Sequence, residues 1–330
     1  MNNLLTPSIL FFVFGLVAGA LRSNLEIPAP IARFLSLYLL MALGLKGGFA
    51  LAQSGLTPEV AVSLACALGL AFFVPLLGYA VLQRRVSRYD AAAIAATYGS
   101  VSAVTFITTV QYLESQGIAF GGHMAAAMAL MESPAIVMAV LLANAARRRE
   151  AALNYPQARA LTATRTPSHG LGKILHESLT DGAQLLLLGS MLVGIVTGEA
   201  GHKAMQPFAG DLFQGMLAFF LLDMGLLAAR NFGSLRSGSR WPLGYALCAP
   251  LVHAGLALAL AALFGLSKGD GALLMVLAAS ASYIAVPAVV RVAIPEANPT
   301  LYFGLSLGLT FPFNILLGIP LYVAVAQRFL

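Results

Sequence analysis

The chain has 330 residues, of which 59% are hydrophobic and 10% charged, with a mean hydropathy of +0.85 and a formal net charge of +6. A soluble domain carries about 25% charged residues; no soluble core hides this much apolar surface, so the composition excludes a water-soluble globular protein and indicates an integral membrane protein. The positive charge follows from membrane topology rather than from nucleic acid, and Cys66 and Cys248, both inside apolar runs, read as buried small hydrophobes with no metal spacing.

The apolar runs lack the ten-residue alternation of a barrel, so they predict helices and an all-α membrane protein. Ten spans follow in chain order, over 6–22, 30–50, 58–83, 89–113, 119–146, 175–197, 208–229, 241–266, 269–293 and 299–328. The first has no basic n-region and no clear small-residue cleavage site, and reads as a span rather than a removed signal. Several spans exceed the roughly 20 residues that a straight crossing needs, which predicts tilt or breaks. Asp90 and Asp270 open spans 4 and 9 and read as helix caps. Trp241 opens span 8 as an interfacial anchor. The one long polar stretch, 147–173, contains Pro156, Pro167, Ser168 and Gly170 and reads as a linker.

Of the 19 Lys and Arg residues, all but Lys46, Lys203, Lys268 and Arg328 fall at the loops after spans 1, 3, 5, 7 and 9. The positive-inside rule then puts those loops in the cytoplasm and both termini outside, in a plasma (inner) membrane. The "RRRE" run at 147–150 is an orientation signal of this kind; anionic lipid or a regulator is the competing partner for it.

The two halves match at a nearly constant offset. Gly44 pairs with Gly225, Asp90 with Asp270, Ser100 with Ser280, Ser102 with Ser282 and Pro134 with Pro312. Residues 1–146 form a first five-helix repeat, 147–173 a cytoplasmic linker and 174–330 a second repeat. Five is odd, so the second repeat enters from the opposite side, which predicts a 5+5 inverted repeat of the secondary-transporter kind. If spans 4 and 9 unwind near Ser102 and Ser282, two half-helix ends meet there. Freed amides and hydroxyls would then hold a small anion. The alternative is that these serines pack helices and back-bond their own turns.

Charged groups within spans are expensive and point to function. Glu132, just before Pro134, is a candidate ion ligand or proton carrier, and Asp223 in span 7 either acts likewise or pairs across helices. Lys46 either snorkels outward or offers positive potential to an entering anion. His253 reads as a satisfied core histidine and His123 as interfacial. The sequence has no Walker A motif, no His/Cys metal spacing and no Gly-x-Ser-x-Gly elbow. Nothing therefore supports ATP-driven transport by this chain alone, and Glu132, Asp223 and His253 lack the nucleophile or metal that an enzyme would need.

The stretch "RVAIPEANPTLYFG" at 291–304, with "GLKGG" (44–48), "YGSVS" (98–102), "ESPA" (132–135), "ESL" (177–179) and "APLVH" (249–253), resembles the sodium-dependent bicarbonate transporter family. The resemblance covers nearly all ten spans and leaves out 147–170. It implies a gate domain of spans 1, 2, 6 and 7, a core domain of spans 3–5 and 8–10 in which spans 4 and 9 cross, a homotrimer, and bicarbonate held at the crossing with sodium close by. Carried onto this chain, the anion-binding residues are Gly99, Ser100, Ser102, Ala103, Thr105, Ser280, Ala281 and Ser282, with sodium near Ser102, Glu132 and Ser282. Family members can be gated by a cytosolic PII-like regulator; no cofactor is implied beyond sodium as co-substrate.

The chain also departs from the family pattern. Where the pattern reads Ser-Asp-Ile-Ser-Gly-Pro, residues 282–287 read "SYIAVP", so Tyr283 replaces the aspartate associated with sodium and Ala285 replaces a serine. The oxygen count for a hard cation falls. Glu132, Asp223, Tyr283 and Asn314 are the groups from which a remodelled cation or proton site would be built. The leading expectation is sodium-coupled bicarbonate import. Its alternative is another small anion or carboxylate on the same fold, proton-coupled or uncoupled.

Overall fold

The structure, a computed structural model, describes residues 6–55, 57–154, 182–232 and 240–330, and every regular element among them is helical. The chain runs through α1 (Pro7–Ala20), α2 (Ala29–Ser54), α3 (Pro58–Leu82), α4 (Arg88–Gly99), α5 (Ala103–Ser115) and α6 (Met124–Asn154). It continues through α7 (Gly182–Met205), α8 (Phe213–Phe232), α9 (Arg240–Phe264), α10 (Lys268–Ala279) and α11 (Ala285–Ala293). The last helical stretch, Pro299–Phe329, is α12 and includes π-helical turns at Gly304–Thr310 and Asn314–Gly318. Most of the linker expected at 147–173, and the "ESL" stretch, lie outside the described residues.

Among the described residues, seven helical stretches are long and apolar enough to cross a membrane, and α1 is a shorter apolar helix. One of the seven, Leu185–Phe232, contains both α7 and α8. They are separated by Gly198, at φ 52°, and by a π-helical turn at Gln206–Asp211. The predicted spans 4 and 9 each become two helices. Span 4 is α4 and α5 with an extended joint at Ser100–Ser102; span 9 is α10 and α11 with a joint at Ser280–Ile284.

Local sequence explains where the broken helices begin. "SRYD" and "SKGD" place a serine before the first turn and an aspartate three residues later. Ser87 Oγ accepts from the Asp90 amide at 3.0 Å, and Ser267 Oγ from the Asp270 amide at 3.1 Å. The serines are therefore the caps, and the aspartates stand in the first turn, where Asp90 Oδ2 accepts the Ser87 hydroxyl at 2.7 Å; this corrects the reading of Asp90 and Asp270 as the caps. The carboxylates have a second task. Asp90 Oδ1 accepts the Asn298 amide at 2.7 Å, and Asp270 Oδ1 accepts the Gly121 amide at 2.6 Å. Each ties the start of one broken span to the turn that follows the other.

Helix packing falls into matched pairs. α1 lies along α8, and α2 along α7. Both seams bring backbones together at glycines: a Cβ on Gly15 would lie 2.3 Å from the Leu222 carbonyl oxygen, and one on Gly48 would lie 2.1 Å from that of Met191. Such small-residue seams let van der Waals contact hold helices where lipid gives no hydrophobic drive. α3 packs on α4 and α6, and α9 on α10 and α12. Cys66 is buried as expected, but Cys248 is exposed, because it sits on the outward face of α9. Arg85 lies over the Trp241 ring, 5.4 Å from its centroid.

Candidate functional site

The two breaks face each other. Ser102 donates its amide to Ser280 Oγ at 3.0 Å, and Ser282 donates its amide to the Thr97 carbonyl at 2.8 Å. The extended residues at each joint thus pair with the opposite joint instead of leaving polar backbone in an apolar interior. All of Ser100, Ser102, Ser280, Ser282 and Tyr283 are buried, each no more than 5% exposed.

The four serines do different things. Ser280 Oγ accepts from Ser102 and donates to the Leu277 carbonyl at 2.9 Å, so its proton is spent on a structural bridge. Ser102 Oγ caps α5, accepting from the Thr105 amide at 3.2 Å and the Thr105 hydroxyl at 2.9 Å. Ser282 Oγ accepts from the Val286 amide at 3.3 Å. Each of these two hydroxyls thus accepts at the start of its own following helix, and the Ser102 hydroxyl also stands against the hydroxyl of Tyr283. Ser100 Oγ is buried with no hydrogen-bond partner. Tyr283 lies beside Ser102 and packs its ring on Phe311, with centroids 5.1 Å apart.

Buried polar groups in native structures are paired, and the exceptions call for an explanation. Here buried hydroxyls gather at a joint where α5 begins, and the first turn of a helix supplies further unpaired amides. Such donors, at the positive end of a helix dipole, suit a small oxyanion.

The C-terminal end of α10 is closed by long-range partners. The Val276 carbonyl takes the Ser280 amide, and the Leu277 carbonyl takes the Ser280 hydroxyl. His253 on α9 donates to the Ala278 carbonyl, and Asn314 Nδ2 on α12 donates to the Ala279 carbonyl at 2.9 Å. Tyr322 in turn donates to Asn314 Oδ1 at 3.1 Å. His253 is therefore only half satisfied, since its Nδ1 has no partner. Asn314, read from sequence as a cation candidate, has both its amide groups committed to holding the break.

The other predicted residues divide. Gly99 is placed beside the joint, where a Cβ would lie 2.0 Å from Pro75 Cγ, so its position is set by the fit of α4 on α3. Ala103, Thr105 and Ala281 lie at the joint. Glu132 on α6 is half-buried and Asp223 on α8 is buried near Arg230; no described hydrogen bond brings either to the serines. No group of three His, Cys, Asp or Glu that could hold a metal ion occurs among the described residues. Sequence reasoning missed Thr97, whose carbonyl receives Ser282; its only signal is that it lies one turn before the break.

Two comparisons bear on this arrangement. The family model described as the Na+-dependent bicarbonate transporter superfamily matches residues 7–327. No curated protein matches the chain.

Proposed function

Because the chain belongs to the Na+-dependent bicarbonate transporter superfamily, we propose that it imports bicarbonate by secondary active transport coupled to sodium, with the anion bound between the two helix breaks. The observation that carries the anion half is the cluster of buried hydroxyls at the joint, above all Ser100, which has no hydrogen-bond partner. Bicarbonate has three oxygens, enough to accept from Ser100, Ser102, Ser282 and Tyr283 together with first-turn amides of α5. Sodium is assigned from the family, with the hydroxyl oxygens of the same joint as its nearest ligands. Tyr283 supplies one neutral oxygen where the family pattern has a carboxylate, so this cation site is weaker than the pattern implies.

The wider architecture belongs to the same proposal. Ten spans in a 5+5 inverted repeat account for why α1 meets α8 while α2 meets α7, since exchanging the halves turns one contact into the other. They also account for the paired Asp90 and Asp270 ties. The division into a gate of spans 1, 2, 6 and 7 and a core of the other six, the homotrimer, the inner-membrane location with both termini outside, and a PII-like regulator at the cytoplasmic face complete the reading.

Uptake of labelled bicarbonate into vesicles, with and without an inward sodium gradient, tests it. Sodium-stimulated uptake is expected. No uptake in either condition defeats the proposal, and uptake indifferent to sodium defeats the coupling alone.

A further inference from the structure

A cavity of about 370 Å³ lies between α2, α5, the 120–122 turn and the Gln206–Asp211 turn, on the side of the molecule opposite the arginine-rich loops. Its inner wall includes Phe106, whose amide bonds the Ser102 carbonyl at 3.0 Å. The floor of the cavity is therefore one helical turn from the serine joint. Lys46 from α2 and Glu114 from α5 line it. Lys46 Nζ sits 3.1 and 3.3 Å from the two carboxylate oxygens of Glu114, and also 4.5 Å from the centre of the Phe213 ring.

We infer that this cavity is an entry site for a small planar oxyanion, in which Lys46 exchanges the Glu114 carboxylate for the incoming anion before it passes to the joint. The inference rests on the transport reading above. Glu114 presents to Lys46 the planar O–C–O edge that a bicarbonate ion also presents, so its carboxylate occupies the position of the anion. The exchange is easy because the pair is half open to water: the two side chains are 26% and 41% exposed, and ion pairs so placed hold little energy. The Phe213 ring keeps the ammonium aimed into the cavity when the carboxylate leaves. The volume holds the anion with part of its hydration shell, which a gradual transfer into the buried joint requires.

Two substitutions that break the same ion pair then act in opposite directions. In labelled-bicarbonate uptake, Lys46→Met raises KM by about two- to fivefold, the worth of one ion pair half open to water, with Vmax little changed. Lys46→Arg keeps KM near its original value. Glu114→Gln lowers KM, because the internal competitor is gone. A purely structural ion pair predicts that Lys46→Met and Glu114→Gln behave alike. Equal shifts in the two, or no shift in either, overturn the inference while leaving transport intact. Absence of uptake by the unsubstituted chain overturns the transport reading itself.

Discussion

Gly99→Ala tests the geometry of the joint at one atom. The added Cβ would stand 2.0 Å from Pro75 Cγ and 2.6 Å from Pro75 Cδ, whereas carbon atoms rest at about 3.5–4.0 Å. A proline ring inside a helix cannot rotate away, so the last turn of α4 must retreat by about 1.5 Å. Thr97 belongs to that turn, and the 2.8 Å bond from the Ser282 amide to its carbonyl does not survive such a retreat. Overpacking costs about 1–3 kcal/mol, and the orphaned amide adds about 1–3 kcal/mol. Gly69→Ala, in α3 with nothing within 4 Å of its Cβ, is the matched control and gains about 0.5–1 kcal/mol in helix propensity. Thermal unfolding in detergent, read with bicarbonate binding by calorimetry, should show Gly99→Ala less stable and weak in binding, and Gly69→Ala unchanged or more stable. A Gly99→Ala protein with ordinary stability and affinity would refute the fit of α4 on Pro75 and the joint built upon it.

Four further predictions assign single residues to binding, to scaffolding or to pH response. Ser100→Ala removes a buried hydroxyl that has no partner, so thermal stability should hold or rise while bicarbonate affinity falls by about tenfold. Ser280→Ala strands the Ser102 amide, so differential scanning should show it destabilised by about 1–3 kcal/mol. Asp90→Ala and Asp270→Ala each cut one tie between the halves, and proteolysis should find both loosened, the double variant more than either. His123 stands just outside α6, where burial lowers its pKa against the opposing pull of Asp270 and Glu59. The folded state then binds this proton less readily than the unfolded chain, so the stability of the neutral ring is full above the unfolded value of about 6.5 and is lost as pH falls below it. The thermal midpoint should drop between pH 7 and pH 5, and drop less in His123→Asn.

The serine pairs were legible because polar residues in an apolar run need a reason, and the same spacing recurs in both halves. That the two runs break there was an expectation from the same pattern; what each hydroxyl does was not legible. Ser280 and Ser102 look alike in sequence, yet one bridges to Leu277 and the other caps α5 beside Tyr283, a difference set by chain geometry at the joint. Asn314 carried a signal as a polar residue in a greasy helix, but its partner, the Ala279 carbonyl, lies 35 residues away, and no local pattern encodes it. Asp90 and Asp270 were placed correctly at helix starts. The capping serines were visible three residues earlier, while the ties to Asn298 and Gly121 required the fold. Tyr283 read as the loss of a cation ligand; the structure adds a buried hydroxyl and a ring packed against Phe311.

The bond between Ser102 and Ser280 spans 178 residues, and that distance sets an order of events during synthesis. At about 5–20 residues per second, a ribosome needs roughly 10–35 s to reach Ser280 after Ser102 has been made. Through that interval the first half sits in the membrane with the Ser102 amide and the Thr97 carbonyl lacking their final partners. Span 4 must either stay continuous and break later, or hold its joint with water or a neighbouring chain. Either way, the joint is among the last parts of the molecule to mature, and a chain stalled before residue 280 has inserted its first half without closing it.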